Sequence, residues 1–174
     1  LKSGLTPAER GTALHEFMQY ADYERAASDL RGEQGRLVRE GFLTRDQVDA
    51  MDTARLSDFF QSALYRRMCA SSRLEREVRF MTEIPAGELD ESLPSWGADE
   101  MVMVQGIADC VFEEKGRLVV LDYKTDRVKD RRVLIEHYAP QLELYARALG
   151  ETLGLPVAQR LIYSFWLGEV IDVS

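Results

Sequence analysis

Val104-Gln-Gly-Ile-Ala-Asp-Cys-Val-Phe-Glu-Glu-Lys-Gly-Arg-Leu-Val-Val-Leu-Asp-Tyr-Lys-Thr-Asp126 consists of two apolar runs joined by a short polar turn, with acids set inside them. Side chains in the first run alternate, putting Gln105, Ile107, Asp109 and Val111 on one face and Gly106, Ala108, Cys110 and Phe112 on the other. Leu118 to Lys124 is almost continuously apolar until its end. Both runs read as strands, the second a buried one. With Glu113-Glu-Lys-Gly116 as the loop, Phe112 pairs with Arg117 and Asp109 stands opposite Val120. Directly paired residues share a face, so Asp109 and Asp122 become diagonal neighbours, roughly 5 to 8 Å apart at Cβ, with Lys124 beyond. A slip of one residue would send Asp109 to the opposite face.

Two carboxylates and an ammonium at the end of a buried strand persist where a metal, an ion pair or a catalytic task compensates them. Spacing alone leaves two readings level: a structural ion pair between Lys124 and an aspartate, and a divalent-cation site on a hairpin.

Asp109, followed one strand later by Asp122-Tyr123-Lys124, resembles the D…(D/E)-x-K signature of the restriction-endonuclease-like PD-(D/E)XK nucleases. Gly11-Thr-Ala-Leu-His15 upstream, Gly106-Ile-Ala-Asp109 before the turn and Gln141-Leu-Glu-Leu-Tyr145 downstream look like the motifs of the RecB-type branch. Val104-Gln-Gly-Ile-Ala-Asp109 with Leu121-Asp-Tyr-Lys-Thr-Asp126 is most similar to the C-terminal nuclease domains of AddA-type helicase–nucleases. All the motifs stand in the family's order over residues 5–166, and the ordered set is far more specific than a lone D-x-K.

The resemblance implies an α/β fold, a mixed central sheet flanked by helices with an N-terminal helical layer. It also implies a metal-dependent DNA exonuclease acting on single-stranded DNA fed by a helicase during double-strand-break repair and recombination. In such a site His15, Asp109, Asp122 and the main-chain carbonyl of Tyr123 hold Mg2+ or Mn2+. Lys124 orients the attacking water or screens charge on the phosphate, and Gln141 and Tyr145 form the Q-x-x-x-Y pair that approaches the site and touches substrate. Glu77 matches the family's E-x-x-F position, where it would lie near the metals; a solvated or ion-paired strand residue is the other reading. Arg79 stands where the family commonly has proline. The implied partners are DNA, chiefly single-stranded, an AddB-type protein and the helicase portion of the same polypeptide, in the cytoplasm. An inactive nuclease-like module for DNA binding or assembly is the alternative, against which intact Asp109, Asp122 and Lys124 argue.

At 174 residues, 45% hydrophobic and 30% charged, the chain reads as one domain, helical over 1–72 and a catalytic sheet core over 73–174. No apolar run is long enough to span a bilayer. Two cysteines, Cys69 and Cys110, exclude a disulfide framework and the four-thiolate iron–sulfur cluster of some RecB-like nucleases. No G-x-x-x-x-G-K-[ST] occurs, so ATP is expected only at a helicase portion outside this sequence. A start at an element boundary without methionine points to a fragment of a longer polypeptide.

Thr6-Pro7-Ala8-Glu9 supplies an N-cap, a proline at N1 and a capping-box glutamate. A helix is expected from Pro7 to about Leu30, with Leu14, Phe17, Met18 and Ala21 as its buried stripe and His15 at the edge. Short helices follow over 31–72, with a second capping box at Thr44–Gln47 and an apolar face of Phe59, Phe60, Ala63, Leu64 and Met68. Leu74–Ile84 reads as a strand, 85–99 as a mobile loop, Val133–Leu153 as a helix ended by Gly154-Leu-Pro156, and Gln159–Trp166 as a strand. A net charge of −8 is unusual for a nucleic-acid protein. The main basic run has five bases among the nine residues 124–132, reading as a solvated loop or as phosphate contacts from Arg127, Lys129 and Arg131.

Overall fold

The computed structural model describes residues 4–174 and puts the quoted hairpin at the centre of a five-stranded sheet. The strands are β1 (Leu74–Pro85), β2 (Met101–Glu114), β3 (Arg117–Lys124), β4 (Val157–Ser164) and β5 (Glu169–Asp172), side by side in that order. All neighbours are antiparallel except β3 and β4. Those two run parallel because a long helix (Arg131–Leu153) crosses between them. The result is the expected mixed sheet with flanking helices. Strand β5, after the positive-φ Gly168, is an addition to the expected elements.

The hairpin closes more tightly than expected. Lys115 and Gly116 alone form the turn, with φ of 52° and 74°, the two left-handed positions of a hairpin turn whose twist matches its strands. Glu114 therefore pairs with Arg117 and Val111 with Val120. The register moves by two residues from the one read off the sequence, which preserves the face of every side chain. Extending the pairing beyond Cys110 and Leu121 sets Asp109 directly opposite Asp122 rather than diagonal to it.

The alternation of β1 and β2 inverts part-way along. Cys110 and Phe112 face one helical layer, whereas Ala108, of the same parity, packs in the opposite layer with Val111. Arg76 and Val78 divide in the same way: the Arg76 guanidinium meets the ring of Tyr23 and Val78 the other core. Both strands switch at Glu77 and Asp109, which are missing from the ladder that pairs their neighbours. Glu77 has φ of 53°, a conformation rare for a residue with a Cβ. Gln105 and Ile107 consequently do not share the buried face of Val111; both are exposed.

The N-terminal layer comprises α1 (Pro7–Tyr20), α2 (Tyr23–Ser28), α3 (Leu30–Arg39), α4 (Arg45–Asp49), α5 (Thr53–Gln61) and α6 (Ala63–Ala70). The single helix expected from Pro7 to Leu30 is thus three. Asp22 and Asp29 each accept from the backbone N–H three residues on, so each starts a new helix. Arg76 donates to the carbonyls of Met18 and Ala21 and satisfies the end of α1. Leu14, Phe17, Met18 and Ala21 are buried as expected, with Phe59, Phe60, Leu64 and Met68; Ala63 is not in the core and Tyr65 takes its place.

Between β1 and β2 the expected loop contains two single-turn helices, α7 (Ala86–Leu89) and α8 (Ser95–Ala98). Helix α9 (Arg131–Leu153) covers the other sheet face, burying Leu134, Leu142 and Leu149 against Val120 and Ile162, and ends at Gly154 with φ of 68°. Gly106 is needed for close approach: a Cβ there would meet Cζ of Phe80 at 2.5 Å. No helix of the described residues is long and apolar enough to cross a membrane.

Candidate active site

Where β2 changes face, the ladder loses a main-chain partner and a side chain replaces it. The N–H of Tyr123 donates to Oδ2 of Asp109 at 2.8 Å. Helix α1 brings His15 to the same point, because Gly11 lets it lie against the segment after β3: a Cβ on Gly11 would sit 2.9 Å from Oγ1 of Thr125. Nε2 of His15 is 2.9 Å from the Tyr123 carbonyl and 3.4 Å from Oδ2 of Asp109, while Nδ1 is 3.0 Å from the Gly11 carbonyl. With a carbonyl oxygen at each nitrogen, both donate only as an imidazolium. Burial opposes that charge, but the Asp109 carboxylate and the Gly11 carbonyl outweigh burial and hold the His15 pKa up at about 9. Burial likewise works against charge on Asp109, and the contacts with His15 and the Tyr123 N–H still lower its pKa.

Asp122 has the opposite fate. It is only 8% exposed, and burial with the neighbouring Asp109 carboxylate pushes its pKa up to about 6, despite Nζ of Lys124 at 2.7 Å from Oδ2. Glu77 is raised as well, by burial first and then by Asp109. The expected acids thus lie close enough to perturb one another electrostatically. Among the described residues, however, no three His, Cys, Asp or Glu side chains are gathered as a ready-made ligand cluster. Asp122 is turned to Lys124, and His15 to the Tyr123 carbonyl.

Gln141 and Tyr145 meet each other on α9: Nε2 of Gln141 donates to the Tyr145 hydroxyl at 2.7 Å. The Tyr145 ring stands edge-on to Phe80, centroids 4.6 Å apart, the same Phe80 that needs Gly106 beneath it. The pair is thus engaged with itself and with β1 rather than with the aspartates. Tyr138, one turn earlier, is a site residue that the motifs do not reveal. Its ring lies 3.8 Å from Nζ of Lys124, and its hydroxyl donates to Asp126 at 2.7 Å. A tyrosine at i−3 from Gln141 on an amphipathic helix is the available signal, but it reads equally as core.

A cleft of about 1070 Å³ opens beside these groups, with His15, Glu77, Asp109, Thr125, Arg127 and Trp166 on its wall. Of the three bases expected to hold phosphate, only Arg127 lines it; Lys129, on the β3–α9 connection, and Arg131, the first residue of α9, are exposed outside it.

The family model described as the PD-(D/E)XK nuclease superfamily matches residues 1–167. The chain belongs to the PD-(D/E)XK nuclease superfamily. It is 40% identical over 98% of its length to the A subunit of the ATP-dependent helicase/nuclease of Acetivibrio thermocellus, and 36% identical over 99% to the protein of the same name in Ruminiclostridium cellulolyticum. The chain spans only 14% of the length of each. A likeness to the crystal structure of SSO0001, at 15% identity, covers 91% of this chain and 63% of that one with a TM-score of 0.39, too loose to carry weight.

PD-(D/E)XK nucleases generally use divalent metals, and this donor set suits one: two carboxylates, a main-chain carbonyl and an imidazole are hard or borderline ligands. Burial and the repulsion from Asp109 raise the Asp122 pKa, and a cation held by the two acids would offset both. In this PD-(D/E)XK nuclease Tyr138 holds Lys124 in place through its ring. Tyr138→Leu is expected to lower kcat roughly tenfold with little change in KM, and Tyr138→Phe, which keeps the ring, to retain most of the rate. Equal losses in both variants would assign the effect to the Asp126 bond instead.

Proposed function

We propose that this chain is the nuclease domain of an AddA-type helicase–nuclease, acting as a Mg2+- or Mn2+-dependent deoxyribonuclease. Its substrate is single-stranded DNA delivered by the helicase portion of the same polypeptide, working with an AddB-type partner in cytoplasmic double-strand-break repair. The observation that carries the reading is the register that sets Asp109 opposite Asp122, with Lys124 and His15 converging from β3 and α1. The names of the relatives support the helicase context.

A divalent cation held by Asp109, Asp122, the Tyr123 carbonyl and His15 would supply an acidified water and charge neutralisation at the phosphate. The chain's own groups do the rest. Gly11 fixes the imidazole by accepting from Nδ1, leaving Nε2 as the edge that must release its proton before it can serve as a ligand. Lys124 is held between Asp122 and the Tyr138 ring, and its ammonium is directed at charge that grows on a non-bridging oxygen during attack. Asp109 draws the Tyr123 N–H to itself, which orients the adjacent carbonyl towards His15.

End-labelled single-stranded DNA incubated with the chain and Mg2+ or Mn2+ should be shortened slowly, and chelator should stop it. Adding the helicase portion and ATP should raise the rate by concentrating the strand at the site. Cleavage that persists in chelator, or none with either metal even beside the helicase portion, would refute the reading.

A further inference from the structure

Trp166 lies just beyond the C-terminal end of β4, beside Lys124 at the end of the parallel strand β3: Lys124 pairs with Ser164, and the N–H of Phe165 donates to the Lys124 carbonyl at 2.9 Å. Ligands collect at such strand ends because the loops diverge there. Two guanidiniums meet the Trp166 ring, Arg55 at 4.3 Å and Arg127 at 5.1 Å from its centroid, yet the residue remains 36% exposed. They differ in kind. Arg55 is pinned by Asp52 and by the Phe165 carbonyl, so it braces the ring. Arg127 is exposed and has no hydrogen bond or ion pair with any described residue; its cation–π contact alone holds it. A purely structural stack accounts for Arg55 and leaves Arg127 unexplained.

Trp166 and Arg127 share the cleft with His15 and Asp109. We propose that Trp166 and Arg127 form a nucleotide subsite in which an unpaired base stacks on the indole while Arg127 swings to the adjoining phosphate. This rests on the nuclease reading and deepens it. An indole face accepts any base whose π-surface is free and none inside a duplex, so the subsite makes the domain itself select single strands without reading sequence. Because stacking releases no counterions, it also lets an acidic domain hold DNA with a shallow salt dependence.

The chain has two tryptophans, so Trp96→Phe leaves Trp166 as the sole indole emitter. In that background, with Ca2+ replacing Mg2+ to limit turnover, oligo(dT) should quench the emission to saturation and a blunt duplex of equal length should not. Trp166→Ala should weaken oligo(dT) binding about tenfold and leave duplex binding unchanged, with Trp166→Phe recovering part of the loss. Arg127→Ala should weaken binding and flatten the salt slope by about one phosphate contact. Oligo(dT) binding seen by anisotropy without any change in Trp166 emission overturns the subsite, as does a Trp166→Ala loss shared equally by duplex. If cleavage in Mg2+ continues in that case, the nuclease reading stands without the subsite; no binding and no cleavage of any DNA would remove both.

Discussion

Lys124→Ala should reduce single-turnover cleavage by roughly 10²- to 10³-fold, the loss typical of removing one donor to a developing oxyanion. Affinity for Mn2+, followed by calorimetry, should survive, because an ammonium is not a ligand. If anything it should tighten, since the cation would no longer enter beside a positive charge 2.7 Å from Asp122. Lys124→Arg should recover part of the rate, as it restores charge with a different reach. Full activity in Lys124→Ala would rule out the role assigned to the ammonium; loss of Mn2+ binding would show instead that Lys124 organises the carboxylates.

Asp122→Asn should act in opposite directions on rate and stability. Cleavage should fall by orders of magnitude, while the metal-free protein becomes more stable by about 1–2 kcal/mol, a rise of a few degrees in Tm. The sign follows from the Asp122 pKa, raised from the ordinary 3.8 to about 6 by burial and Asp109 even with Lys124 beside it. Such a group stabilises the fold fully below its unfolded pKa, and that contribution is lost as pH rises through the folded one. The advantage of the amide should therefore be slight at pH 4 and complete above pH 7. With saturating Mg2+ the order should reverse, because cation binding then stabilises only the parent site. An amide variant less stable than the parent at neutral pH in chelator would mean that the Lys124 ion pair outweighs the repulsion.

Much of this architecture is legible in the residues. The capping boxes at Thr6–Glu9 and Thr44–Gln47 form as their sequences imply, and the apolar run 118–124 is a buried central strand. The turn differs from expectation because Glu113 and Glu114 look like loop residues, whereas the half-buried end of β2 holds them, Glu114 by an ion pair to Arg67, and Lys115 accepts positive φ. Helix α1 stops short of the expected end because Asp22 caps a new helix, a competing local preference that the apolar stripe hides. The inversion at Glu77 has no signature in a period-two pattern, which is why Ile107 looks like a neighbour of Val111. Asp109, Asp122 and Lys124 are visible as an ion pair or a metal site from their types and spacing, and the family resemblance decides between the two and adds His15, which alone reads as a core or boundary histidine. Tyr138 and Trp166 are not visible as candidates, since an aromatic ring on a helix or after a strand is by default packing; what distinguishes them is a cation held against each ring.

The change of face at Glu77 has a mechanical meaning. Along β1, one half is fastened to the helical layer through Arg76 and the other packs with α9 through Val78 and Phe80, so a single strand serves two cores. Glu77 is the joint within β1 between those two attachments, and Asp109 is its cross-strand neighbour. The carboxylate that lines the cleft therefore stands beside the point where β1 passes from one core to the other, and a substitution in either core that shifts β1 would be felt there.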